Sequence, residues 1–178
     1  MLKIELIYPI PPDNHTTTFE DAAAAVAAVS LDAATGTQSY LRISDFRDKP
    51  VVHFDLSDFK TQIKEAIKSF SQVYEVKESL LTLIDGLAEQ AQDMYHNLDR
   101  STFDPADFDR RFPGVYLNMH VSNFNGTMDM NFGFLIEDFT DPDPWQIDPS
   151  PTHEFVYADL HLHKKKEQLT AAEPALLH

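Results

Sequence analysis

The chain has no cysteine among its 178 residues. That removes disulfides, thiolate nucleophiles and sulfur-ligated zinc or iron–sulfur centres together. Glycine is scarce, at five, and none falls into a GxGxxG or P-loop pattern, so no phosphate-cradling turn is written locally. HExxH and GxSxG are missing as well. Basic residues are few: 14 Lys and Arg stand against 29 Asp and Glu, a formal net charge of −15. A protein held to nucleic acid or to an anionic membrane by charge needs the opposite balance, so direct binding to either is disfavoured. The longest small-apolar run, from Ala22 to Val29, is far short of the roughly 20 residues of a membrane span. The opening MLKIELIYPIPP is broken by Glu5 and three prolines and makes a poor signal peptide. The expectation is a soluble, cytoplasmic protein.

What is present suits a packed domain. Hydrophobic residues make up 43% of the chain and include 13 Phe, enough for a sizeable core. The strongest local pattern runs from Val115 to Ile136. Asn125-Gly126 is the pair favoured by a two-residue type I′ hairpin turn. Folded there, Val121 faces Met130, Met119 faces Phe132, Leu117 faces Phe134 and Val115 faces Ile136. These apolar pairs share one face, and Tyr116, Asn118, His120, Ser122, Asp129 and Asn131 take the other.

Other elements follow from periodicity. Leu2, Ile4, Leu6 and Tyr8 mark a first strand ended by Pro9. After the loop PIPPDNHTTT, Thr18 is the expected N-cap of an alanine-rich helix ending near Thr35-Gly36. Gln38 to Ser44 and Val51 to Leu56 read as a pair of strands. Ser57 opens an amphipathic helix with Phe59, Ile63, Ala66, Ile67, Phe70 and Tyr74 inward and Lys60, Lys64 and Lys68 outward. A second helix carries Leu80, Ile84, Leu87, Ala91, Met94 and Leu98 at steps of four and three. Its stripe is widened by Leu81, Leu83, Ala88 and Tyr95, which favours internal packing over a bare dimer seam. Gly86 in that helix suggests a close contact. A short helical turn from Asp104-Pro105 and an irregular acidic loop over Glu137 to Thr152, tied down by Trp145 and Ile147, flank the hairpin. Phe155 to His163 is the last strand, with Val156, Ala158, Leu160 and Leu162 inward. The result is an α+β chain of order β-α-β-β-α-α-β-β-β: about six mostly antiparallel strands with helices on one face. Residues 1–163 read as one domain and 164–178 as a polar, frayed tail.

Two features carry possible chemistry. Asp159-x-His161-x-His163 puts a carboxylate and two imidazoles on one strand face, the composition of a facial metal triad. Such a site needs further ligands, for which His153, Glu154 and His120 are the available donors. The plainer reading is a solvated strand face ending in the lysine cap Lys164 to Lys166. The second feature is that His53, His120, His161 and His163 all fall on the polar side of predicted strands. With Tyr40, Tyr116 and Asn118 they form a ligand or partner platform if one sheet unites them, centred on His53, Tyr116, His120 and His161.

The acidic loop lacks the glycine and spacing of a calcium site. A scattered Ser/His/Asp site leaves no local trace, since its residues meet only in space. The favoured expectation is therefore a non-enzymatic binding or accessory protein without a cofactor. It acts through an acidic surface or the open sheet face, on a protein partner or by forming a homodimer. One variant is an acidic protein that occupies a partner's nucleic-acid groove. The alternatives are a small divalent-metal enzyme using Asp159, His161 and His163, and a small-ligand or peptide binder on the polar face.

Overall fold

The computed structural model describes residues 2–12, 14–47, 51–97, 112–121, 126–137 and 156–165. In chain order these form β1 (Leu2–Tyr8), β2 (His15–Phe19), α1 (Ala22–Thr35), β3 (Tyr40–Phe46), α2 (Ser57–Phe70), β4 (Tyr74–Glu75), α3 (Glu78–His96), β5 (Phe112–Val121), β6 (Thr127–Glu137) and β7 (Val156–Lys164). All seven strands join one sheet in the order β2-β1-β3-β5-β6-β7-β4, and every pairing is antiparallel. The α+β class expected from the sequence is the one observed. Among the described residues no helix is long and apolar enough to cross a membrane.

Alternation decides which face is covered. Ile4, Leu6, Leu41, Ile43, Val115, Leu117, Met119, Met128, Met130, Phe132, Phe134, Leu160 and Leu162 point to the helix side and are buried. Against them lie Ala25, Val26 and Val29 of α1, Phe59, Ile63 and Ile67 of α2, and Ile84, Ala88 and Tyr95 of α3. Burying one such large side chain contributes about 1.5–3 kcal/mol, so the layer contact is the main source of stability. Ile84, Leu87, Ala88, Ala91 and Tyr95 of the α3 stripe pack inward, whereas Leu83, expected to widen it, is 49% exposed. Lys64 of the α2 lysine stripe reaches Asp85 of α3 at 2.8 Å, so that stripe is partly used to join the two helices. Gly86 has open space where a Cβ would stand, not the close contact its position suggested.

Several sequence expectations are corrected. The helix α1 starts at Asp21, whose carboxylate accepts from the N–H groups of Ala23 and Ala24 at 2.7 and 3.3 Å. Thr18 instead lies inside β2, a strand within the segment read as loop. Gly36 ends the helix as expected, in the left-handed conformation at φ 81°. Residues 51–56 are not a strand. Phe54 and Leu56 plug the core with no exposure, while α3 bonds the backbone of the segment at Val51 and Phe54: Tyr95 Oη donates to the Val51 carbonyl at 2.7 Å and His96 Nε2 accepts from the Phe54 N–H at 2.9 Å. The hairpin register also differs by two residues. Val121 faces Met128, Met119 faces Met130, Leu117 faces Phe132 and Val115 faces Phe134. Faces are preserved, but this register does not close on a two-residue Asn125-Gly126 turn. Residues 122–125 lie outside the described residues. So do Leu98, the turn from Asp104, the loop with Trp145 and Ile147, His153, Glu154, and the tail beyond 165. Within the stretch read as tail, Lys164 closes β7 and pairs with Tyr74.

Candidate functional site on the polar sheet face

The face turned away from the helices collects most of the polar residues of the central strands. Three cross-strand rows organise it. In one, Glu5, Arg42, Asn118, Asn131 and Asp159 follow one another from β1 to β7. In the next, His120 faces Asp129 and Asp129 faces His161, while Tyr40 stacks on His120 with ring centroids 4.9 Å apart. In the third, Ser44, Tyr116, Gly133 and Tyr157 are neighbours.

The central half of this face, on β3 and β5, is closed. Tyr40, Arg42, Ser44, Tyr116 and Asn118 are all 6% exposed or less, so the face is not the uniformly open platform expected from the sequence. Arg42 Nε donates to Asn118 Oδ1 at 2.8 Å, and its guanidinium lies 5.2 Å from the Tyr116 ring centre and 5.9 Å from that of Tyr40. Cation–π contact and a charge-assisted bond are how a buried cation is tolerated. The Tyr116 ring crosses over Gly133, where any Cβ would overlap it. Glycine is needed there for close approach. Ser44 Oγ is buried without a hydrogen-bond partner.

The flank on β6 and β7 is open. Asp129 Oδ1 and His161 Nδ1 are 2.6 Å apart, with side chains 48% and 55% exposed. Asn131 Nδ2 donates to Asp159 Oδ1 at 2.6 Å, and Tyr157 Oη donates to the same oxygen at 3.1 Å. Tyr157 itself is 43% exposed. His120 stands at the boundary. The residue is exposed, yet partial desolvation of its ring against its neighbours pushes its pKa below the ordinary imidazole value. The Asp129 charge opposes that shift and the Arg42 charge adds to it.

Tyr116, His120 and His161 therefore share this face, with Tyr116 closed off in the buried half. His53 does not join them. It sits on the 51–56 segment beside His96, their ring centroids 5.9 Å apart, because that segment is a core plug and not a strand. Asp159, His161 and His163 do share the outer face of β7. Successive members two residues apart along a strand are separated by about 6.5–7 Å. Asp159 is engaged by Asn131 and Tyr157, and His161 by Asp129. Among the described residues, no three His, Asp or Glu side chains come close enough to hold a metal ion.

Sequence reasoning passed over Arg42 and Tyr157. Arg42 is a lone cation between Leu41 and Ile43, two residues from Tyr40, and Tyr157 is two residues from Asp159. Both spacings were legible as shared strand faces. Comparison with protein-family models, characterised proteins and solved structures finds no match for this chain, so the face is read from its own chemistry.

Proposed function

We propose that this chain is a non-enzymatic binding protein that docks a protein partner on the β6–β7 flank of its polar sheet face. One observation carries the reading: Asp129 pairs with His161, and Asn131 and Tyr157 both bond to Asp159, on a strip where Tyr157, Asp159 and His161 are exposed and Asp129 and Asn131 partly so. Side chains already ordered before binding lose less entropy when a partner arrives. An exposed tyrosine offers a rigid apolar anchor with a polar tip, the residue type enriched at interface centres. Two carboxylates on the strip, in a chain of net charge −15, favour a partner surface rich in Lys, Arg or amide donors and speed encounter with it.

Binding is preferred over acyl-transfer chemistry because, among the described residues, His161 bonds to Asp129 and not to a hydroxyl nucleophile. It is preferred over metal chemistry because, among the described residues, no three His, Asp or Glu side chains come close enough to hold a metal ion. Metal analysis of protein purified without a histidine tag checks that rival reading, which requires stoichiometric metal.

The direct test is affinity capture from the native cell with the intact chain, Tyr157→Ala/His161→Ala, and Lys68→Ala as a surface control. The expected result is one partner retained by wild type and K68A, released by rising salt, and bound about tenfold or more weakly by the double variant. Equal retention by the double variant would sink the assignment to this flank.

A further inference from the structure

The two edges of the sheet are unlike. One ends in β4, only Tyr74 and Glu75 long, and a short charged strand is a common way to discourage further pairing. The other ends in β2, His15–Phe19, which among the described residues pairs with β1 alone. Its ladder with β1 runs without a bulge, and HTTTF contains no lysine and no proline. Thr16, Thr17 and Thr18 are exposed. An exposed, β-branched, uncharged edge is a template for another strand.

Helix α1, packed over β1 and β2, is unguarded in the same way. Asp32 is the one formal charge in β2 and α1 together. Ala23, Ala24, Ala27 and Ala34 are exposed, and Leu31 is 64% exposed. A surface helix normally turns charge outward, as α2 does with Lys64 and Lys68. The strand and the helix are themselves nearly uncharged, and the turn between them carries exposed Glu20 and Asp21.

We propose that β2 pairs antiparallel with β2 of a second copy of this chain, about a two-fold axis through Thr17. The sheet then runs continuously through the dimer, and α1 comes up beside its mate. The segment is self-complementary: Thr17 faces Thr17, Thr16 faces Thr18, and no two like formal charges meet within the strand. Threonine pairs of this kind stabilise antiparallel ladders, and two-fold dimers are the commonest closed assembly. Residues 15–19 carry no Asp, Glu, Lys or Arg, so a strand identical to β2 meets no formal-charge repulsion within the ladder, and this self-complementarity favours a second copy. The edge lies across the sheet from the β6–β7 flank, so pairing leaves both flanks open and makes the dimer bivalent toward any partner bound there.

Sedimentation equilibrium of the full chain over a concentration series tests this. The expected mass rises from 20.3 kDa toward twice that value. Thr17→Lys sets two like charges against each other on the axis and weakens the dimer by about tenfold or more. Ala27→Glu, at an exposed helical position that tolerates glutamate, also weakens it and guards against a folding defect in T17K. Circular dichroism of both variants should match wild type. A wild-type chain that stays at 20.3 kDa throughout, or dimerisation undiminished in both variants, overturns the proposal.

Discussion

The polar sheet face is two regions with the same residue types and opposite physics. On β3 and β5, Tyr40, Arg42, Tyr116 and Asn118 are closed off from water. On β6 and β7, Asp129, Asn131, Tyr157, Asp159 and His161 make similar bonds in the open. In the closed half each polar contact lies in a poorly screened medium, where losing one partner strands the other. In the open half water replaces a lost partner, so a pair contributes only about 0–1 kcal/mol. The first region is built into stability. The second has its groups ordered but little stability depending on them, which leaves them available for recognition.

The sharpest way to break this contrast is to remove one polar residue from each half. Arg42→Ala leaves Asn118 Oδ1 without its donor and withdraws the guanidinium from two rings. A loss of about 3 kcal/mol is expected, read as a shift of the urea midpoint. His161→Ala in the open pair should cost less than about 1 kcal/mol. Comparable midpoint shifts would dissolve the division between the halves.

A smaller effect probes the seam between them. Gly133→Ala drives a methyl into the Tyr116 ring, and overpacking of this kind costs about 1–3 kcal/mol. The clash is with one named ring, so the two sites should couple. Tyr116→Leu should cost less in the G133A background than in wild type, giving a double-mutant coupling above about 0.5 kcal/mol. Additive costs would mean that the ring is not what excludes a Cβ at position 133.

The sequence made the faces legible and hid the seam. Period-2 alternation in β5, β6 and β7 separates core from polar residues, since alternation is what burial of one face requires, while Ile7 of β1 is buried on the polar side and Asp45 of β3 on the core side. Alternation cannot detect a shift of two residues, because such a shift preserves both faces. That is why Asn125-Gly126 was persuasive and the register built on it was two residues off. The segment 51–56 shows the converse. An extended plug with Phe54 and Leu56 inward alternates like a strand, and only the side chains of Tyr95 and His96, distant in sequence, reveal that its backbone bonds go to a helix. β2 was missed because its residues are exposed and polar, leaving no apolar period to read. The division of the polar face was hidden for a similar reason: burial of Arg42 and Tyr40 depends on what covers them, which strand pattern does not encode.

The smallest expected effect concerns His120, which stands on the boundary and decides where it runs. Its pKa is lowered chiefly by burial, with Asp129 opposing and Arg42 assisting. Tyr40 stacks on its ring. A histidine whose folded pKa lies below the ordinary value of about 6.5 binds its proton more readily once unfolded. Its contribution is therefore present above about pH 6.5 and is lost as pH falls through that value toward the folded pKa. His120→Gln keeps a polar side chain and removes the titration. Urea midpoints measured from about pH 7.5 down to about pH 5.5 should show wild type losing stability relative to H120Q, with carboxylate protonation common to both cancelling in the difference. A flat difference would mean that attraction to Asp129 balances burial, and a rise on acidification that it outweighs burial. His120 would then belong with Asp129 and His161, and the open flank would extend across β6 onto β5.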